Sequence, residues 1–182
     1  MYNINPIAQT DTVFLGDSLT ESFDLQKHFG RNDLRNRGIS GNMTQDVLYR
    51  IEEITNAKPA RVFLMIGIND IFNELSEETV VSNIEKIVNE ISAKCSDTVL
   101  FAQSILPVNE TNLIIDENLN TKIYKINNRL RFICKEKDLR FIDIHPDFLN
   151  KNGEMDAEYT YDGVHLTEQG YILWAELVQE YL

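Results

Sequence analysis

The sequence predicts an α/β fold: a three-layer α/β/α sandwich on a mainly parallel sheet of five strands. Short β-rich runs alternate with segments of helical period along the whole chain. The runs are almost continuously apolar, as strands must be when helices cover both faces of the sheet. Residues 12–15 form the first strand, and a short second one follows at 34–36. Val47, Leu48, Ile51 and Ile54 mark one helical face, and residues 62–66 a buried strand. The apolar run continues only to Ile68, far short of the roughly 20 residues that span a bilayer. Val80, Val81, Ile84, Ile87, Val88 and Ile91 give the next helical face. Ser76 reads as its N-cap, with Glu77 and Glu78 favouring the positive end of the helix dipole. Residues 98–102 are a strand, Leu119, Ile123, Ile126, Leu130 and Ile133 a helical face, and 140–144 the last strand. Trp174, Leu177, Val178 and Tyr181 belong to a closing helix that Thr167 starts. The one long irregular stretch, 104–117, follows a strand and is expected to overhang its carboxyl end as a binding loop.

A chain of 182 residues suits one domain, 1–182, whose core needs no disulfide or metal. Its 29 acidic and 17 basic residues leave a formal charge of -12, which disfavours nucleic acid and anionic lipid as partners. Cys95 and Cys134 lack metal-ligand spacing and read as buried, reduced thiols. Together with an N-terminus that lacks the pattern of a secretory leader, they lead us to expect a cytoplasmic protein. The expected partner is a small molecule, with no nucleic acid, no membrane insertion, no cofactor and no metal. Self-association into a homo-oligomer is left open.

Four short blocks carry chemistry. Gly16-Asp17-Ser18-Leu19 directly follows the first strand, and Asp162-Gly163-Val164-His165 lies near the other end. Between them stand Ile39-Ser40-Gly41-Asn42 and Gly67-Ile68-Asn69-Asp70. Serine alone is a poor nucleophile; an imidazole that takes its proton, oriented by a carboxylate, activates it. The spacing of Asp162 and His165 lets carboxylate and imidazole share one face of a turn, with Nδ1 toward Asp162 and Nε2 toward Ser18. Gly41 offers a backbone N–H and Asn69 a side-chain amide, the kind of donors that stabilise a tetrahedral oxyanion. Taken singly, each residue has a plainer role: Ser18 a helix cap, His165 a surface histidine, Gly41 a turn, Asn69 a cap. His28 has no comparable partner, and His145, next to Pro146, reads as part of a structural loop.

These blocks, in this order and from Val13 to about Tyr171, resemble those of the SGNH hydrolases, also called the GDSL esterase/lipase family. The resemblance implies the flavodoxin-like form of the sandwich. It also implies a serine esterase with Ser18 as nucleophile, His165 as base and then acid, and Asp162 as orienting carboxylate. Ser18 N–H, Gly41 N–H and Asn69 Nδ2 would form the oxyanion hole. Phe14-Leu15-Gly16-Asp17-Ser18, Asn36-Arg37-Gly38-Ile39-Ser40-Gly41 and Ser104-Ile105-Leu106-Pro107 are most similar to the branch of platelet-activating-factor acetylhydrolase-like proteins and bacterial carbohydrate acetylesterases. The expected reaction is hydrolysis of short-chain O-esters, acetyl first, through an acyl-enzyme, on a carbohydrate. The alternatives are a lysophospholipase or thioesterase-type acyl hydrolase, a metal-dependent phosphoesterase using Asp17, Asp70, Asp162 and His165, and an inert binding module. A base must be neutral to take a proton, so activity is expected to fall in acid, where imidazole protonates.

Overall fold

Apolar residues on both faces of every central strand demand two helical layers, and the computed structural model, which describes residues 5–113 and 118–182, has them. The sheet contains β1 (Thr12–Gly16), β2 (Leu34–Gly38), β3 (Arg61–Met65), β4 (Val99–Gln103) and β5 (Arg140–Ile142). All pairings are parallel, in the order β2-β1-β3-β4-β5. The chain turns back between β1 and β3, the switch point beyond whose strand ends ligands bind in open α/β sheets.

The helices are α1 (Ser18–Glu21), α2 (Leu25–Phe29), α3 (Thr44–Ala57), α4 (Ile68–Phe72), α5 (Glu77–Lys94), α6 (Glu110–Leu113), α7 (Leu119–Glu136) and α8 (Glu168–Val178). Strand pleating divides the core between them. Val13, Leu15, Val62 and Leu64 face α3, α5 and α7. Phe14, Phe63, Met65 and Phe101 face α1, α2 and α8, where Trp174 is wholly buried and donates its indole N–H to Gln103 Oε1 at 2.8 Å.

Ser76 caps α5 by accepting from Thr79 N, and Thr167 caps α8 by accepting from Gly170 N, as the sequence predicts. Cys95 and Cys134 are buried and free. Burial pushes the Cys134 thiol up to about 11, so it stays protonated and inert. The last strand is shorter than expected, ending at Ile142, because a 3-10 turn carrying Pro146 begins at His145. The 104–117 stretch also departs from expectation. Residues 104–109 lie buried within the fold and lead into α6, while 114–117 fall outside the described residues. Among the described residues, no helix is long and apolar enough to cross a membrane.

Candidate active site

Sheet register places three distant segments at one level. Gly16 pairs with both Gly38 and Met65, so β1, β2 and β3 end on the same rung. Ser18 lies two residues beyond that rung, Gly41 three and Asn69 four, all at the carboxyl rim. Ser18 opens α1, and Asp17 caps that helix by accepting from Leu19 N at 3.1 Å. At the first helical position the Ser18 N–H has no intrahelical acceptor and is available to an anion. Asn36 ties α1 to the edge strand: Nδ2 donates to Thr20 O at 2.6 Å and Phe23 O at 3.0 Å, while Oδ1 accepts from Gly38 N.

His165 reaches this rim from the turn before α8. Its Nε2 is 3.0 Å from Ser18 Oγ, and its Nδ1 is 2.6 Å from Asp162 Oδ2. Asp162 Oδ1 accepts from the N–H groups of Val164 and His165, at 2.9 and 2.7 Å, which orients the carboxylate before the imidazole meets it. Partial burial opposes ionisation of Asp162, but the hydrogen bonds from the His165 ring and these two N–H groups prevail and hold its carboxyl below the usual range. Thr160 Oγ1 donates to His165 O and accepts from Gly163 N, closing the turn. Gly163 has φ +100, and a Cβ there would sit 2.8 Å from Leu113 Cγ and 2.9 Å from Asn109 O. The buried Asn109 donates its N–H to Gly163 O and its side-chain amide to Met155 O. This brace joins residues 46 and 54 positions apart, so no local pattern could have singled out Asn109.

Beyond β2, Asn42 N donates to Ile39 O, and Gly41 takes φ +77 in the turn between them. The Gly41 N–H has no partner among the described residues. Asn69 lies within α4, whose N-cap is Gly67, so it is not the cap that its plainer reading suggested. Its Nδ2 donates to Asn42 O at 2.9 Å; an amide nitrogen carries two hydrogens, which leaves one for a ligand.

The carboxylates that a metal site would recruit are otherwise engaged. Asp17 caps α1, both oxygens of Asp70 bond Thr44, and Asp162 faces His165. Among the described residues, no three His, Cys, Asp or Glu side chains are grouped to hold a metal ion. His145 is buried and donates its backbone N–H to Ser104 Oγ, a loop-fixing role. His28 stands 3.9 Å from Glu168 and tilts against Phe23.

A hydroxyl, an imidazole and a carboxylate thus stand in hydrogen-bonded series at the rim of a parallel α/β sheet, an arrangement that can activate a serine hydroxyl. Residues 14–173 match the model of the GDSL-like lipase/acylhydrolase family, and the chain belongs to that family as a carboxylic ester hydrolase. It is 28% identical over 170 residues to platelet-activating factor acetylhydrolase IB subunit alpha2 of Homo sapiens, covering 90% of this chain and 72% of that one. It is 26% identical over 165 residues to N-acylneuraminate cytidylyltransferase of Streptococcus agalactiae, covering 88% of this chain and 36% of that one. The crystal structure of a GDSL-like lipase from Bacteroides thetaiotaomicron superimposes with a TM-score of 0.85 at 25% identity, over 95% of this chain and 87% of that one.

Proposed function

We propose that this chain is a serine esterase that removes short acyl groups, acetyl above all, from alcohol oxygens of a carbohydrate. The observation that carries the reading is the series Ser18 Oγ, His165 Nε2, His165 Nδ1, Asp162 Oδ2, with contacts of 3.0 and 2.6 Å. Ser18 Oγ attacks the ester carbonyl as its proton passes to His165 Nε2. The tetrahedral oxyanion meets Ser18 N–H, Gly41 N–H and the free hydrogen of Asn69 Nδ2. The imidazolium then protonates the departing alcohol, leaving an acyl-Ser18. Water attacks that acyl group with His165 again as base, and the acid leaves.

Two features support a short acyl group. The His165 and Asp162 side chains are 38% and 40% exposed, so the base and its carboxylate stand at the surface rather than deep in an apolar interior. The similar human protein is an acetylhydrolase by name. The carbohydrate half draws on the likeness to an enzyme named for a sugar acid, N-acylneuraminate, whose named acyl group sits on nitrogen; this chain spans 36% of that enzyme. The two buried free cysteines fit a cytoplasmic location.

Initial rates on p-nitrophenyl esters from C2 to C12, and on acetylated sugars beside lysophospholipids, test the substrate. Highest kcat/KM on C2 and on acetylated sugars is expected; preference for the longest chains or for lysophospholipids overturns it. Ser18→Ala tests the nucleophile and is expected to lose at least about 10³-fold in kcat.

A further inference from the structure

Gly41 is the least supported member of the site. It has no side chain, an added Cβ would find nothing within 4 Å, and its N–H points to no protein acceptor among the described residues. Nothing packed against it fixes where that N–H points, so its position must come from the anchors on either side of the loop. Two anchors precede it, Ile39 N donating to Gly16 O at 3.2 Å and Ser40 donating its N–H and hydroxyl to Glu21 Oε2. Another immediately follows, Asn69 Nδ2 on Asn42 O. Asn42 Oδ1 also accepts from Arg50 Nε, and the deepest anchor lies at Thr44, the first residue of α3.

Thr44 is wholly buried and so is Asp70. Thr44 Oγ1 donates to Asp70 Oδ1 at 2.5 Å, and Thr44 N donates to Asp70 Oδ2 at 2.9 Å. Asn83 of α5 completes the cluster by donating Nδ2 to Thr44 Oγ1 at 3.0 Å. A carboxylate without solvent is expensive unless its oxygens are occupied, and here both are spent on a single residue of another segment. Capping α3 would need only the bond from Thr44 N, beside the one that Met43 N makes to Asp46; the second bond, from Thr44 Oγ1, is what capping does not require. Asp70 also directly follows Asn69, so one short helix grips the loop twice, at Asn42 and at Thr44.

We propose that Asp70 is a positioning residue: by holding Thr44 it sets the height of the 39–43 loop and so places the Gly41 N–H where the oxyanion forms. This rests on the role given to Gly41 above. A donor displaced by a fraction of an ångström loses most of its effect on the transition state while barely touching ground-state binding.

The test is kcat and KM of Asp70→Asn and Thr44→Val on p-nitrophenyl acetate, with Thr44→Ser as the conservative variant and Ser18→Ala alongside. Folded protein is quantified by circular dichroism, and the rate of inactivation by a fluorophosphonate, whose adduct is tetrahedral, is measured in parallel. Asp70→Asn and Thr44→Val are expected to lower kcat about 10- to 100-fold with KM within about twofold, and to slow inactivation in step. Thr44→Ser restores both. If the variants only lower the melting temperature and keep kcat per folded molecule, the positioning role is wrong. If Asp70→Asn fails to fold, Thr44→Val and Thr44→Ser decide by the same criterion. An active Ser18→Ala would overturn the esterase scheme itself, whereas a dead Ser18→Ala beside a fully active Asp70→Asn overturns only the positioning role.

Discussion

Asp162 divides its two oxygens: one takes the backbone N–H groups of Val164 and His165, the other takes the imidazole. Asp162→Asn presents an amide hydrogen or a weaker acceptor to Nδ1 and favours the wrong tautomer. It is expected to cut kcat about 10³-fold or more with little change in melting temperature, since the side chain is 40% exposed. Asp17 behaves differently. Burial is the main influence on it and pushes its carboxyl up to about 7, against the Leu19 N–H and the nearby His165 ring. The folded chain therefore holds a proton at Asp17 that the unfolded chain releases near pH 4. Stability from this group is complete below pH 4 and lost as pH rises toward 7. Asp17→Asn keeps an acceptor for Leu19 N and removes that slope; urea midpoints of both proteins from pH 4 to 8 should converge in acid and separate in the variant's favour near neutrality. At this scale Ser18, His165 and Asp162 were legible because reactive side chains come in few workable combinations. Asn109 and Thr44 were not, because their partners lie in other segments.

The turn between β2 and α3 holds the proposed oxyanion donor Gly41, the turn before α8 holds the proposed Asp162 and His165, and neither has a periodic signal. Gly163 shows what the second requires: φ +100 with Leu113 and Asn109 closing over the place where a Cβ would stand. Gly163→Ala is expected to cost about 1 to 3 kcal/mol in denaturant unfolding and to lower kcat at least about tenfold, because the same turn aims both Asp162 and His165. Thr167→Ala, which removes the α8 cap just beyond it, should cost only about 1 kcal/mol in the same assay. The long helices α3, α5 and α7 were readable from their apolar faces. The four short ones, α1, α2, α4 and α6, were not, since four or five residues are too few for periodicity to accumulate. β2 is an edge strand whose middle residues are half-buried, hence its thin apolar signature.

Across the molecule, the sheet is stiffened on one face by stacked rings. Phe63 lies 4.8 Å from Phe14 and 4.6 Å from Phe101, with ring planes 6° and 15° apart. Phe63→Ala is expected to destabilise the protein by about 3 to 5 kcal/mol, read as a lower urea midpoint. Trp174 is buried against the same layer and reports the transition by fluorescence. We propose that 1–182 unfolds as one domain, so tryptophan fluorescence and far-UV circular dichroism should trace the same curve; two separated transitions would contradict it. Activity is expected to be unchanged by EDTA, as the proposed steps run through the side chains of Ser18, His165 and Asp162.

The order of apolar runs was enough to determine a parallel sheet between two helical layers, because burying strands on both faces leaves no other cover. The identities of Ser18, Gly41, Asn69, Asp162 and His165 as candidates were likewise carried by residue type and order. Only the tertiary structure decided how they meet. Strand register brings Gly16, Gly38 and Met65 onto one rung, and the Asn109 and Asp70 braces hold the turn before α8 and the start of α3. Register and bracing arise from contacts between segments far apart in the chain, and such contacts leave no mark on the local pattern of either partner.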